Sequence, residues 1–317
     1  MRALLCPASL KGVLSATEAA AALASGVRAA GAGAVELPTA DGGEGTADAM
    51  YATLGGTWRE AVVADPLGRR VPARWLLLPD GRAVVEAAAA VGLPLLAAGE
   101  RNPLIASSRG LGDLVLAAVR AGADALVVGL GGSATVDGGR DWPDLHLPPT
   151  TAFCDVRTGL HDAARIFAPQ KGARPEDVTV LAARLAGLGL PGGPRTGAAG
   201  GLGARLLALG AELVDGAERM LDVLDFAAAC RGVDAVVTGE GRLDASSLEG
   251  KLPVVVARRA RALGLRVLGR FGSRGDGWER AAAFFDDVSF EADPSPSPSL
   301  RRRGGRTRST LGLAPVG

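Results

Sequence analysis

Apolar residues along this chain gather in short runs that end in glycine. Leu126, Val127 and Val128 form one such run, bounded by Asp124 and opening into GLGGSATVDGG at residues 129–139. A run this short, closed by glycine, predicts a buried strand. The pattern returns twice. A short strand near Ala34 leads to Asp41, Gly42, Gly43, Glu44, Gly45 and Thr46, and Val236–Val237 leads to Thr238, Gly239, Glu240, Gly241, Arg242 and Asp244. Residues 2–6 read as the first strand and residues 265–273 as the last, and Thr57 to Leu78 alternates as a hairpin turning at Pro66 and Gly68.

Between these runs the apolar spacing becomes helical. Ser15 or Thr17 caps a helix reaching about Ala30, with Glu18 in its first turn. Further helices are expected over Thr46 to Leu54, Leu111 to Ala121, Arg174 to Leu188, Ala204 to Leu209, Leu221 to Ala229 and from Lys251 onward. Residues Ala83 to Ala90 fit strand or helix equally, which leaves Glu86 as a solvated helix face or a substrate contact. Prolines 143, 148 and 149 forbid a helix after Gly139. Strands alternating with helices predict an α/β fold in which ligands bind beyond the carboxyl ends of the strands. The three glycine-and-acid turns are expected to share one crevice there, holding phosphates, a metal and a small polar substrate.

Composition narrows the partners. The 317 residues are 48% hydrophobic and 22% charged, with a formal net charge of +1. A near-neutral chain is not organised around nucleic acid or a membrane surface. No apolar run reaches spanning length, and Met1 to Leu5 is too short for a signal segment. Cys6, Cys154 and Cys230 lack metal-ligand spacing and read as reduced thiols, which points to the cytoplasm. His146 and His161 have no partners at ligand spacing. From Glu291 the chain becomes Pro-, Ser- and Arg-rich, so the expected organisation is a catalytic region over 1–290 and a disordered basic tail over 291–317.

Candidate chemistry follows from residue types. The chain uses arginine almost everywhere a positive charge occurs, yet keeps lysine at Lys11, Lys171 and Lys251, each beside a glycine. A compact ammonium in a tight loop suits a phosphate. Asp41, Glu44, Asp137, Glu240 and Asp244 supply hard oxygen ligands of the kind magnesium takes. Ser9 and Lys11 follow the first strand, Ser107 and Ser108 precede a helix N-terminus, and Arg109 there suits a carboxylate clamp. The loop 191–203 reads as facing phosphate or as a hinge. The combination favours phosphoryl transfer, in which the protein positions reactants and stabilises charge. Walker A, protein-kinase and GxSxG signatures are absent, and no GxGxxG follows the first strand.

CPASLKGVLSATEAA, PTADGGEGTADAM, VVGLGGSATVDGG, FAPQKGA, TGAAGGLGA and VTGEGRLDASSLEGKLP, in that order, resemble the glycerate kinase type-1 family over most of residues 1–275. The resemblance implies a two-lobed α/β fold of mostly parallel, Rossmann-like sheets with helices on both faces and the substrate in the cleft. It implies ATP-dependent, magnesium-assisted phosphorylation of D-glycerate to 2- or 3-phosphoglycerate, and leaves monomer or homodimer open. Carried over by position, Asp41 or Asp137 would be the base, Lys11 and Lys251 would meet phosphate, and Glu240 or Asp244 would hold Mg²⁺. Ser9, Glu44, Ser108, Arg109, Ser133 and Lys171 would contact substrate, and Gly131, Gly132, Gly239 and Gly241 the nucleotide. The chain departs from the family pattern at Ala8, Leu10, Val136 and Ser246, is short near residues 140–160, and differs beyond Phe290. Those departures raise a second reading, an impaired homologue that binds nucleotide or hydroxy acid without turnover.

Overall fold

The computed structural model describes residues 1–10 and 12–291; Lys11 and nearly all of the predicted tail lie outside the described residues. The strands are β1 (Arg2–Leu5), β2 (Gly33–Glu36), β3 (Thr57–Ala64), β4 (Arg70–Leu77), β5 (Arg82–Glu86), β6 (Ala125–Gly129), β7 (Thr150–Cys154), β8 (Glu212–Asp215), β9 (Ala235–Leu243), β10 (Arg266–Arg274) and β11 (Asp287–Phe290). They divide between two compact units. One joins Met1–Ala40 to the chain from Met220 onward, and the other is Asp41–Arg219.

In the first unit the sheet order is β11-β10-β9-β1-β2, with every neighbouring pair parallel. Ala3, Leu5, Val237 and Leu268 face Ala24 and Val27 of the helix Ala16–Ala29 and form one core cluster. That helix starts where the sequence expects it, because Ser15 and Glu18 close a reciprocal capping box. β9 differs from expectation. It does not stop at Val237 but runs through Thr238-Gly239-Glu240-Gly241-Arg242 to Leu243, pairing with β10 along the way. Two glycines inside a strand misled the sequence reading, which took them for a loop.

The second unit holds the order β3-β4-β5-β6-β7-β8. β3, β4 and β5 are antiparallel, and β5 to β8 are parallel. The hairpin forms as predicted, with buried Asp65 accepting the backbone N–H groups of Leu67 and Arg69 at the turn. Val85, Leu126 and Val128 pack with Leu111, Leu114 and Val115 of the helix Arg109–Arg120. Both sheets are mostly parallel, as an α/β chain requires.

Residues 140–149 form no helix or strand. They nevertheless cover the core, since Trp142, Leu145 and Leu147 pack against it. A Cβ on Gly112 would lie 2.3 Å from Pro143 Cδ, so the helix and this segment close tightly. The ambiguous run Ala83–Ala90 resolves into both readings, strand to Glu86 and helix over Ala87–Val91.

Candidate active site

The second unit gathers its glycine turns at the carboxyl ends of β5, β6 and β7, where parallel strands leave backbone N–H groups unpaired. The Asp41–Gly45 loop lies directly on the turn that follows β6: Gly131 N donates to Gly42 O at 3.0 Å, and a Cβ on Gly131 would stand 2.5 Å from Gly43 Cα. Only glycine on both sides allows that approach. A Cβ on Gly42 would meet Phe153 O at 2.7 Å, so β7 belongs to the same cluster. Asp41 is half-buried and accepts from Gly43 N at 3.3 Å, while Glu44 is exposed.

Lys171 enters this cluster from the turn Pro169–Lys171. It is 3% exposed, and its Nζ donates to Ser133 Oγ at 2.9 Å and Thr135 O at 2.8 Å. Gly172 makes that reach possible, because its φ of 96° and a Cβ 2.4 Å from Arg101 O exclude other residues. Burial pulls the ammonium down to about 8, although the Asp137 and Asp155 carboxylates oppose the shift. Since Ser133 Oγ accepts from Lys171, its own proton points elsewhere, and no acceptor for it occurs among the described residues. The buried Thr135 Oγ1 also has no partner among the described residues. The result is a buried lysine held between a hydroxyl and a carbonyl in the turn after β6.

Asp137 is engaged otherwise. Its Oδ2 accepts the N–H and hydroxyl of buried Ser108 at 2.8 and 3.0 Å, and its Oδ1 faces Gly139 N at 3.4 Å. Burial raises its carboxyl above the usual range. Ser108 and Asp137 therefore hold the loop after β6 to the start of the helix Arg109–Arg120. Arg109 lies outside this group, half exposed and paired with Asp113 at 2.7 Å. Within the loop 191–203, read from sequence as a phosphate face or a hinge, residues 199–201 pack as a backbone buttress. Ala199, Gly200 and Gly201 take left-handed φ of 51°, 67° and 98°, and a Cβ on Gly200 would lie 2.1 Å from Thr135 O.

The first unit holds the other named residues. Ala8 N donates to Gly239 O at 2.9 Å, which sets the Ser9 turn beside β9. Asp244 caps the turn Ala245–Glu249, accepting from Ser246 N at 2.9 Å, and its carboxyl is held low chiefly by the Ser246 hydroxyl. Glu240 Oε1 accepts from Ser247 Oγ at 3.2 Å, and Lys251 Nζ stands 3.7 Å from Asp244 Oδ1. No group of three or more His, Cys, Asp or Glu side chains able to hold a metal occurs among the described residues. A magnesium ion that keeps its waters and nucleotide phosphates needs only one or two carboxylates, and Glu240 with Asp244 fits that demand.

Glu86 is the residue the sequence left undecided. It ends β5, and its Oε1 accepts the N–H of Ala47 at 2.9 Å. The signal for it lay in the change from strand to helix spacing at that position.

The comparisons with known proteins agree with this architecture. A family model described as the glycerate kinase family matches residues 3–141 and 143–295. The chain is 37% identical to the glycerate 2-kinase of Escherichia coli K12, covering 87% of this chain and 86% of that protein. It is also 37% identical to the glycerate kinase of Bacillus subtilis 168, covering 86% and 85%. The crystal structure of a putative glycerate kinase 2 from Salmonella typhimurium LT2 superposes with a TM-score of 0.76 at 34% identity, covering 92% of this chain and 90% of that one. A family match over nearly the whole chain, together with relatives this similar, means that the chain belongs to the glycerate kinase family.

Proposed function

We propose that this protein transfers the γ-phosphoryl group of ATP to a hydroxyl of D-glycerate. The hydroxyl oxygen attacks the γ-phosphorus as the bond from that phosphorus to the ADP oxygen breaks, and the hydroxyl proton passes to a carboxylate. Asp41 suits that last role better than Asp137, whose oxygens already accept from Ser108 and Gly139. Ser133 and Lys171 supply donors for the anionic substrate, with Glu44 at the loop's rim. Lys251 with the backbone of Gly239 and Gly241 is assigned to the nucleotide. Mg²⁺ on Glu240 and Asp244 would neutralise charge on the phosphates. Three buried free thiols accord with a reducing cytoplasm.

The observation that carries this reading is the buried Lys171 on Ser133, in a cluster built from the chain's glycerate-kinase-like stretches. The name of the Escherichia coli relative favours the 2-hydroxyl as acceptor. Among the described residues nothing favours the impaired reading, and part of the short stretch that helped raise it, Trp142, Leu145 and Leu147, packs against the core. Purified protein assayed for glycerate-dependent ADP release should turn over at roughly 1–100 per second, the usual range for kinases. Folded protein without turnover would overturn the proposal, and phosphorus NMR of the product identifies the hydroxyl.

A further inference from the structure

The helix Thr46–Leu54 carries no cap of its own. Gly45 occupies the N-cap position with a φ of 91° and no side chain to offer. The Thr46 hydroxyl is turned back to Gly43 O at 2.8 Å. The first N–H groups of a helix need partners, and a buried start without them is costly. Here the partner comes from 39 residues away, where Glu86 Oε1 accepts from Ala47 N at 2.9 Å, while Thr46 N donates to Gly43 O at 3.3 Å. Glu86 Cγ lies 3.7 Å from the Cβ position of Gly129, at the start of the turn that carries Ser133. One carboxylate thus ties together the end of β5, the end of β6 and the helix into which the Asp41–Gly45 loop feeds.

We propose that Glu86 is a positioning residue for glycerate binding: by capping the helix Thr46–Leu54 from β5, it holds the Asp41–Gly45 loop against the turn after β6. The loop is otherwise held through backbone, by Gly131 N on Gly42 O and the Thr46 hydroxyl on Gly43 O, while its own side chains add little: Asp41 makes one long bond to Gly43 N and Glu44 is exposed. Asp48 on the same helix is already bound by Arg74 from β4 at 2.8 Å, so it is not available to replace Glu86 as the cap. The role needs an acceptor oxygen at the end of β5. The inference rests on the glycerate kinase reading for its effect on substrate, but not for its effect on the loop.

Hydrogen exchange of residues 42–47, measured by mass spectrometry on the full chain, separates the two. Removing a cap shifts a helix start by a factor of about 2–30 in its opening equilibrium. E86A is therefore expected to lose protection in this peptide by roughly tenfold. E86Q, which keeps an acceptor oxygen, should restore most of it. In the glycerate assay E86A should lower kcat/KM by about tenfold, since the loop carries Asp41 as well as Glu44, and E86Q should recover it. Equal protection of residues 42–47 in E86A and the unaltered protein overturns the proposal, as does a loss that E86Q fails to restore. If no variant turns over glycerate, the exchange result still decides the role of Glu86, and the failure belongs to the functional reading.

Discussion

Gly131 and Gly239 each lie just past an apolar run, yet the two units use them differently. Gly239 lies inside β9, where a Cβ would sit 1.6 Å from Arg270 O on the neighbouring strand. It exists so that two strands can pair. Gly131 lies beyond β6, where it lets two turns touch backbone to backbone at Gly43. The first glycine lets two strands pair and the second lets two turns meet, so the same residue type serves a sheet in one unit and a loop contact in the other.

This difference is testable by substitution. G239A forces β9 and β10 apart and should lower unfolding stability by about 3 kcal/mol or more, read as a denaturation midpoint, because backbone atoms cannot yield as a side chain does. G241A, with nothing within 4 Å of its Cβ position, should stay within about 1 kcal/mol of the unaltered protein. G131A should cost less stability than G239A and instead lower kcat/KM for glycerate about a hundredfold by displacing the Asp41–Gly45 loop. Equal destabilisation by G131A and G239A would erase the contrast.

A large effect on activity concerns charge in the second unit. K171M removes the donor that orients Ser133 and should lower kcat/KM by about a thousandfold, the scale of losing a buried charged contact to the reacting group. The pH profile carries a finer signature. The Lys171 ammonium is pulled down to about 8 by burial, so the protonated form is lost as pH rises through that value. Activity should fall on this alkaline limb in the unaltered protein, and the limb should disappear in K171M and move upward in K171R. An alkaline limb unchanged in K171R would remove Lys171 from the explanation.

Much of the fold was legible because local pattern and tertiary structure agree. The run Leu126–Val128 ending in glycine is β6, and Ser15 with Glu18 starts the first helix. What escaped the sequence depends on pairs distant along the chain. Ser108 and Asp137 are 29 residues apart, and Lys171 is 38 from Ser133, so no spacing rule joins them. The span Thr238–Leu243 was misread because glycine normally weakens a strand, and only the close approach of Arg270 explains its presence. Glu86 was hidden in a run that is both strand and helix.

That hidden residue gives a smaller, pH-dependent effect confined to the second unit. Burial raises the Glu86 carboxyl from 4.5 to about 7, with Asp48 adding to the shift and Arg74 opposing it. The folded state therefore holds a proton that the unfolded chain releases above its own, lower value. Glu86's contribution is fully present below about pH 4.5 and lost as pH rises through about 7. Its size is of the order of 3 kcal/mol, and E86Q should flatten the slope in denaturant titrations across that window. A slope unchanged in E86Q would assign it to other carboxylates.

The smallest expected effect bears on where the second unit meets an anion. The sequence placed Arg109 as a carboxylate clamp, but its guanidinium is half exposed and bonded to Asp113 one helical turn away. Exposed pairs of this kind contribute about 0.3–0.5 kcal/mol. R109A should therefore change the glycerate KM by less than about threefold and leave kcat alone, against the large loss in K171M. If R109A instead raised KM a hundredfold, Arg109 would have to leave Asp113 to bind substrate. The donors for glycerate would then lie on the exposed helix start rather than on the buried lysine beneath Ser133.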